Sequence, residues 1–375
     1  MRQVFTGAAI FDGAALHTGA ALMIEGDRVA GIFPEAAAPD GVPVRLAGGI
    51  LAPGFLDLQV NGGGGVMFGA APGAIPVMLA AHARLGSTGL MPTLITDTPQ
   101  VTAAALAEGV AAARAGLPGF LGLHLEGPHL APRRKGAHDA ALIRPMEEDD
   151  LARLCAAAQE LPALMVTVAP ESVTPDQIAR LAGAGVIVSL GHTDCACAQA
   201  QAAFAAGARA VTHLFNAMSP LGHRAPGLVG AALDSPGVMA GIIADGVHVA
   251  PQALRIAMAA RPEGLFLVSD AMAVAGSDAT EFAHQTRRIL RRDGRLTLPD
   301  GTLAGADITL PAAIAHLTAL GVPLTTALAM ASARPARLIG AADRGHLRPG
   351  ARVDLVHLAT DLSLTAVWQD GARLS

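Results

Sequence analysis

Between residues 51 and 340 the chain alternates short, nearly continuous apolar runs with Ala-rich stretches whose apolar positions recur at helical spacing. The runs fall at residues 54–58, 89–94, 120–125, 164–168, 186–190, 210–212, 238–243 and 265–268. The helical stretches include 75–85, 101–113, 147–159, 175–184, 198–206 and 251–260. Unbroken apolar runs mark strands buried on both faces, and alternation with helices marks parallel pairing. Eight such units predict an α/β fold whose centre is a closed (β/α)8 barrel, with an open doubly wound sheet as the alternative.

The two ends read differently. Residues 4–10, 21–24, 29–32 and 44–47 are brief β-type runs, with turns at Asp12-Gly13, Gly26-Asp27 and Asp40-Gly41. The same style returns at 352–358 and 364–369. Segments 1–50 and 341–375 are therefore expected to pair into one small β-sandwich domain beside a catalytic barrel at 51–340. Residues 287–298, rich in Arg around Asp293-Gly294, read as an inserted hairpin.

Aromatic residues make up only 3% of a chain that is 52% hydrophobic, so Ala, Leu, Val and Ile must fill the core. The net charge of -5 is spread along the chain without a basic stripe. Nucleic acid is not an expected partner. No apolar stretch approaches the roughly 20 residues of a membrane span. Residues 1–5 do not open a signal peptide. No membrane partner is expected, and the expected location is cytoplasmic. Cys155, Cys195 and Cys197 form no CxxC pair, so neither a disulfide framework nor a thiolate zinc site is indicated. Cys195 and Cys197 read as packing residues within a helix.

Polar residues fall at the ends of the predicted strands, where a parallel barrel places its chemistry. Strand one ends in Asp57-Leu58-Gln59-Val60-Asn61 and strand three in His124-Leu125-Glu126-Gly127-Pro128-His129. Strand five ends in Gly191-His192-Thr193-Asp194, strand six in Thr212-His213-Leu214-Phe215-Asn216, and strand eight in Ser269-Asp270-Ala271. Glu126, His192 and His213 form an N,N,O set of the kind that holds a catalytic divalent ion and leaves room for water. Asp270 is the candidate proton carrier. Each residue also has an ordinary reading: a hydrogen-bonded structural His, a first-turn Glu, an N-cap Asp. Four of them converging on one barrel mouth would need four independent structural reasons.

His124 is expected on the same face as Glu126, one layer deeper. His248 is within reach of the mouth after strand seven, and Asp245 reads as a turn residue. Gly62-Gly63-Gly64-Gly65 is a sharp loop without a dinucleotide fingerprint, and no G-x-S-x-G elbow surrounds His192. Arg133-Arg134-Lys135 reads as exposed loop charge.

These motifs resemble one family. Pro53-Gly54-Phe55-Leu56-Asp57-Leu58-Gln59-Val60-Asn61-Gly62, His124-Leu125-Glu126-Gly127-Pro128 and Lys135-Gly136-Ala137-His138 carry the first half of the resemblance. Gly191-His192-Thr193, Thr212-His213-Leu214-Phe215-Asn216-Ala217-Met218, Asp245-Gly246-Val247-His248 and Ser269-Asp270-Ala271 carry the second. In this order they resemble the N-acetylglucosamine-6-phosphate deacetylases of the amidohydrolase superfamily. The resemblance implies metal-dependent cleavage of the acetamide of N-acetylglucosamine 6-phosphate to glucosamine 6-phosphate and acetate. It implies a metal on Glu126, His192 and His213, Asp270 as the proton shuttle and His138 near the acetyl carbonyl. It sets Asn216 and the backbone of Ala217 against the sugar phosphate. His248 and Arg224 would meet the phosphate, Arg224 partly across a homodimer interface.

Many relatives in the superfamily carry His-x-His on strand one and bind two metals. This chain has Gln59 and Asn61 there, expected to face substrate instead. Amides are poor ligands beside imidazoles, so one divalent ion per chain is expected, zinc first, with iron, manganese or cobalt open. Lys135 is the only lysine, which leaves none for a carbamylated bridge. Two rival functions stay open. One keeps the metal but cleaves N-acetylgalactosamine 6-phosphate or an N-acyl amino acid. The other is a non-catalytic sugar-phosphate binder, which would have no use for a proton carrier.

Overall fold

The computed structural model describes residues 2–285 and 287–374, so residues 1 and 375 of the expected end segments lie outside it. Eight parallel strands follow one another in sequence order: Phe55–Val60, Ser87–Ile95, Leu123–Glu126, Leu164–Val168, Ile187–Leu190, Ala210–Val211, Met239–Ile242 and Leu265–Leu267. The stretch just past the eighth strand meets the first. Asp270 N–H donates to Gln59 O at 3.0 Å, and Asn61 N–H donates to Ala271 O at 2.8 Å. Val60 bridges Ala271 in parallel. These bonds close the barrel and remove the open-sheet alternative.

Helices Ala74–Arg84, Pro99–Arg114, Glu148–Ala158, Pro175–Gly183, Cys197–Ala205 and Pro251–Ala260 lie close to the expected bounds. Their starts are written in the sequence. The Thr98 hydroxyl accepts from Val101 N–H with Pro99 in the first turn, and Thr174 and Gln177 form a reciprocal capping box. Strand residues alternate between two cores. Leu123, Leu125, Val166, Val168 and Val188 pack outward against helices. Leu58, Met91, Met165, Ile187 and Phe266, with Leu121 just before strand three, fill the barrel interior.

The two ends form two sheets, and the strand Ile50–Pro53 crosses the expected boundary between residues 50 and 51. One orders Arg28–Pro34, Ala20–Glu25, Arg2–Thr6 and Val42–Arg45. The other orders Ala372–Arg373, Leu364–Gln369, Leu355–Leu358, Ile50–Pro53, Ala9–Phe11 and Leu16–His17. Leu355 opposes Pro53 and Leu358 opposes Ile50, so the C-terminal segment pairs with the strand that leads into the barrel. Phe5, Leu22, Ile24, Leu51, Leu355 and Trp368 share the core between the sheets.

Three local readings change. The run at 4–10 is two strands broken at Gly7, whose φ is +84 and whose Cβ would lie 2.4 Å from Leu46 O. Cys195 is not helical; the helix begins at Cys197, and Cys195 packs, 2% exposed, in the preceding loop. The expected hairpin is the middle of a four-stranded sheet: Glu281–His284, Arg287–Arg292, Arg295–Thr297 and Leu303–Ala306. Asp293 and Gly294 both have positive φ, as a tight hairpin turn requires. This inserted sheet reaches the barrel mouth, where Ala306 N–H donates to Asp270 O at 3.0 Å. Among the described residues no helix is long and apolar enough to cross a membrane.

Candidate active site

Strand three delivers its carboxylate by simple alternation: Leu123 and Leu125 face the helices, while His124 and Glu126 face inward. His192 and His213 lie just past strands five and six, and Asp270 just past strand eight. Their φ values are +47, +30 and +51, left-handed for non-glycine residues. Such backbone costs of the order of 1 kcal/mol or more per residue and is concentrated at functional sites.

The three ligand candidates converge. Glu126 Oε1 lies 2.9 Å from His213 Nε2 and 3.2 Å from His192 Nε2, and the two nitrogens are 3.0 Å apart. His192 Nδ1 donates to Arg134 O at 2.8 Å. A carbonyl only accepts, so His192 carries its proton on Nδ1 and presents a lone pair at Nε2. A carboxylate oxygen and two imidazole nitrogens this close, all buried, make a donor set that fits a divalent cation. His213 Nδ1 has no hydrogen-bond partner among the described residues and lacks the carbonyl support that His192 has.

Asp270 stands beside this group. Its Oδ1 accepts from Asn61 Nδ2 at 2.7 Å and from Gln59 Nε2 at 3.3 Å. Gln59 Nε2 also lies 3.1 Å from Glu126 Oε1. Burial, with the Glu126 carboxylate nearby, pushes Asp270 up to about 6. Burial also raises Glu126, but hydrogen bonds with His192 and His213 outweigh it and hold this carboxyl well below its ordinary range. His138 Nε2 lies 3.9 Å from Glu126 Oε2, and its ring stacks edge-on to His192 at 4.4 Å.

A cavity of about 380 Å³ opens over these groups. Asn61, Glu126, His138, His192, His213, Asn216, Ala217, His248 and Asp270 line it. Asp245 Oδ1 accepts from the N–H of Val247 and of His248, each at 2.8 Å, as a turn residue should. Its Oδ2 also holds His248 Nδ1 at 2.6 Å, which leaves His248 Nε2 for other partners. Asn216 Nδ2 donates to His213 O at 3.2 Å, and Ala217 has a φ of +49. Below the mouth, His124 bonds Leu58 O at 3.0 Å and Thr167 Oγ1 at 2.7 Å, which makes it the buried inner layer expected.

Two expected substrate contacts stand apart from the cavity. Gln59 is buried behind it, bonded to Glu126 and Asp270. Arg224 sits in an exposed loop, forms no hydrogen bond or ion pair among the described residues and does not line the cavity of its own chain. Conversely, Arg133 and Arg134 reach the cavity wall, Arg134 held by Asp194 Oδ1 at 2.8 Å. Leu303 and Gly305 of the inserted sheet form another wall. Thr96, against His138, is not marked by its residue type, although it lies just past strand two at the same mouth.

The amidohydrolase family model matches residues 50–373. The chain is 41% identical over 334 residues to an N-acetylgalactosamine-6-phosphate deacetylase of Shewanella sp. (strain ANA-3), covering 88% of this chain and 84% of that one. It is 38% identical over 352 residues to the N-acetylglucosamine-6-phosphate deacetylase of Homo sapiens, covering 87% and 85%. Its fold is similar to the crystal structure of N-acetylglucosamine-6-phosphate deacetylase from Pasteurella multocida, with a TM-score of 0.96, 33% identity and 100% of each chain covered. With a buried Glu-His-His group at a barrel mouth that could hold the metal on which this chemistry depends, the chain belongs to the amidohydrolase family.

Proposed function

We propose that this chain is an N-acetylglucosamine-6-phosphate deacetylase, releasing acetate and glucosamine 6-phosphate. The observation that carries the reading is one cavity holding the Glu126, His192 and His213 group, Asp270 and His248. A divalent ion held by that group supplies Lewis acidity and acidifies water at neutral pH. One ion per chain is the expected content, zinc first, with iron, manganese or cobalt accepted by the same donors. Gln59 and Asn61 support a single ion, because their amides already serve as hydrogen-bond donors to Glu126 and Asp270.

Asp270 takes a proton from the attacking water and returns it to the departing nitrogen. Its Oδ1 is occupied by two amide donors, so Oδ2 does the transfer. His138 donates to the acyl oxygen. Asn61, Asn216 and the backbone of Ala217 orient the sugar, and His248 meets the phosphate. Arg224 of a neighbouring protomer completes the phosphate site in a homodimer, which accounts for its idle position in its own chain. The absence of a membrane-spanning helix among the described residues is compatible with a cytoplasmic enzyme.

A second reading, N-acetylgalactosamine 6-phosphate as substrate, is favoured by the 41% identical Shewanella relative. Acetate release from both sugar phosphates, from N-acetylglucosamine and from an N-acetyl amino acid separates the possibilities. N-acetylglucosamine 6-phosphate is expected to lead. Loss of the phosphate should cost at least about tenfold in kcat/KM, since charge-assisted hydrogen bonds contribute roughly 1.5–3 kcal/mol each. A metal-loaded protein that releases no acetate from either sugar phosphate would overturn the deacetylase reading.

A further inference from the structure

We propose that Thr96 is a positioning residue whose amide and hydroxyl together fix the ring proton of His138 on Nε2, and that the inserted sheet keeps Thr96 in place. The proposal rests on the deacetylase reading for the role of His138. Thr96 follows the second barrel strand, Ser87–Ile95. Its backbone N–H donates to His138 Nδ1 at 3.3 Å, and its hydroxyl lies 2.8 Å from the same nitrogen. A backbone amide only donates, so Nδ1 must offer a lone pair and the ring proton must sit on Nε2. Nε2 is the nitrogen on the side of Glu126, 3.9 Å from Oε2. A donor there suits an acyl oxygen that gains negative charge, whereas a lone pair would repel it.

The seat of Thr96 is built from both sides. Gly127 has a φ of +96, and a Cβ on it would fall 2.2 Å from Thr96 Oγ1, so the hydroxyl needs glycine opposite. From the inserted sheet, Gln285 Nε2 donates to Thr96 O at 3.3 Å and to Asp97 Oδ2 at 2.9 Å. Arg287 reaches Asp139, the neighbour of His138, at 4.0 Å. The sheet thus grips both segments that bring Thr96 and His138 together.

Variant kinetics and one spectrum test this. Thr96→Val keeps the shape and the backbone donor but removes the nearer hydroxyl donor, so it isolates the side chain's share of the hold on His138, and it should lower kcat about tenfold, with KM, metal content and melting temperature held. Thr96→Ser should restore kcat to within about threefold of wild type, and Gln285→Ala should lower it in the same direction as Thr96→Val but less. In a His138→Ala background, Thr96→Val should have no further effect on kcat. In the ¹⁵N spectrum of the wild type, the His138 signals, identified by their loss in His138→Gln, should show the Nε2-protonated tautomer. A Thr96→Val kcat within about twofold of wild type, or the same factor lost without His138, overturns the proposal. So does a proton on Nδ1, a measurement that decides even if Thr96→Val fails to fold. Wild-type protein without acetate release would sink the deacetylase reading instead, and the tautomer would still judge Thr96.

Discussion

Asp57 lies wholly buried under the mouth, and its carboxylate is held by backbone amides. Ser269 N–H lies 3.2 Å from both oxygens and Gln59 N–H 3.3 Å from Oδ1. Burial pushes this carboxyl up to about 7 against the pull of those bonds. Its folded pKa therefore exceeds the ordinary 3.8, and the folded state holds the proton more tightly than the unfolded chain. By linkage, the stability this group lends is present at acid pH and is lost as pH rises from about 4 to about 7. Asp57→Asn should gain on wild type in melting temperature across that interval, and a difference that does not change with pH would reject an ionising Asp57. Asp270→Asn should keep its metal and lose at least about 100-fold in kcat, the usual worth of a general acid–base group. Metal analysis beside an acetate assay checks it. Near-normal turnover would remove Asp270 from proton transfer.

Glu126, His192, His213 and Asp270 were legible as candidates because a parallel barrel confines chemistry to strand ends, although Asp57, His129 and Asp194 fall at the same ends and position alone does not separate them. Thr96 was not, because threonine is ordinary in a strand and its role arises from a contact with a residue 42 positions later.

The inserted sheet was half visible. Asp293-Gly294 announces its central turn, but the outer strands Glu281–His284 and Leu303–Ala306 are short and compositionally mixed, and only pairing with their neighbours defines them. Gly305, on the fourth strand, fixes how the sheet sits on the mouth. Its φ is +70, and a Cβ there would lie 2.7 Å from Asp270 O and 2.4 Å from Met272 Cγ. Gly305→Ala should therefore destabilise the protein by roughly 1–3 kcal/mol and lower kcat while the metal stays bound. Calorimetry with a turnover assay tests this, and wild-type values in both would mean that the sheet yields freely. The six named barrel helices, by contrast, were readable almost to their ends, two of them from the local Thr-Pro starts at Thr98 and Thr174, whereas the helices Gly227–Asp234, Leu310–Ala319, Leu324–Ala331 and Ala333–Ile339 were not named from the sequence.

The whole molecule puts the pairing of its two ends beyond what periodicity can show, since alternation reveals that strands exist and not which strands meet. Leu355–Leu358 beside Ile50–Pro53 is such a long-range choice. The homodimer is a question of the same scale. If Arg224 serves the neighbouring site, mixing Arg224→Ala chains with Asp270→Asn chains should restore activity. One site of the mixed dimer then keeps its own Asp270 and borrows an intact Arg224, while the other collects both defects. Mixed dimers verified by mass but inactive would confine Arg224 to its own chain or to no role.

The seam of the barrel carries a consequence for the life of the chain. The bonds that join its last strand end to its first run through Gln59, Asn61, Asp270 and Ala271, the residues that hold the proton carrier. Glu126, His192 and His213 all precede that carrier in the chain. Whatever loosens the seam therefore loosens the proton carrier, while the three ligands rest on strands three, five and six. Sealing the ring and placing Asp270 beside Glu126 are one event, so a copy whose seam has opened should keep its ligand group and lose turnover.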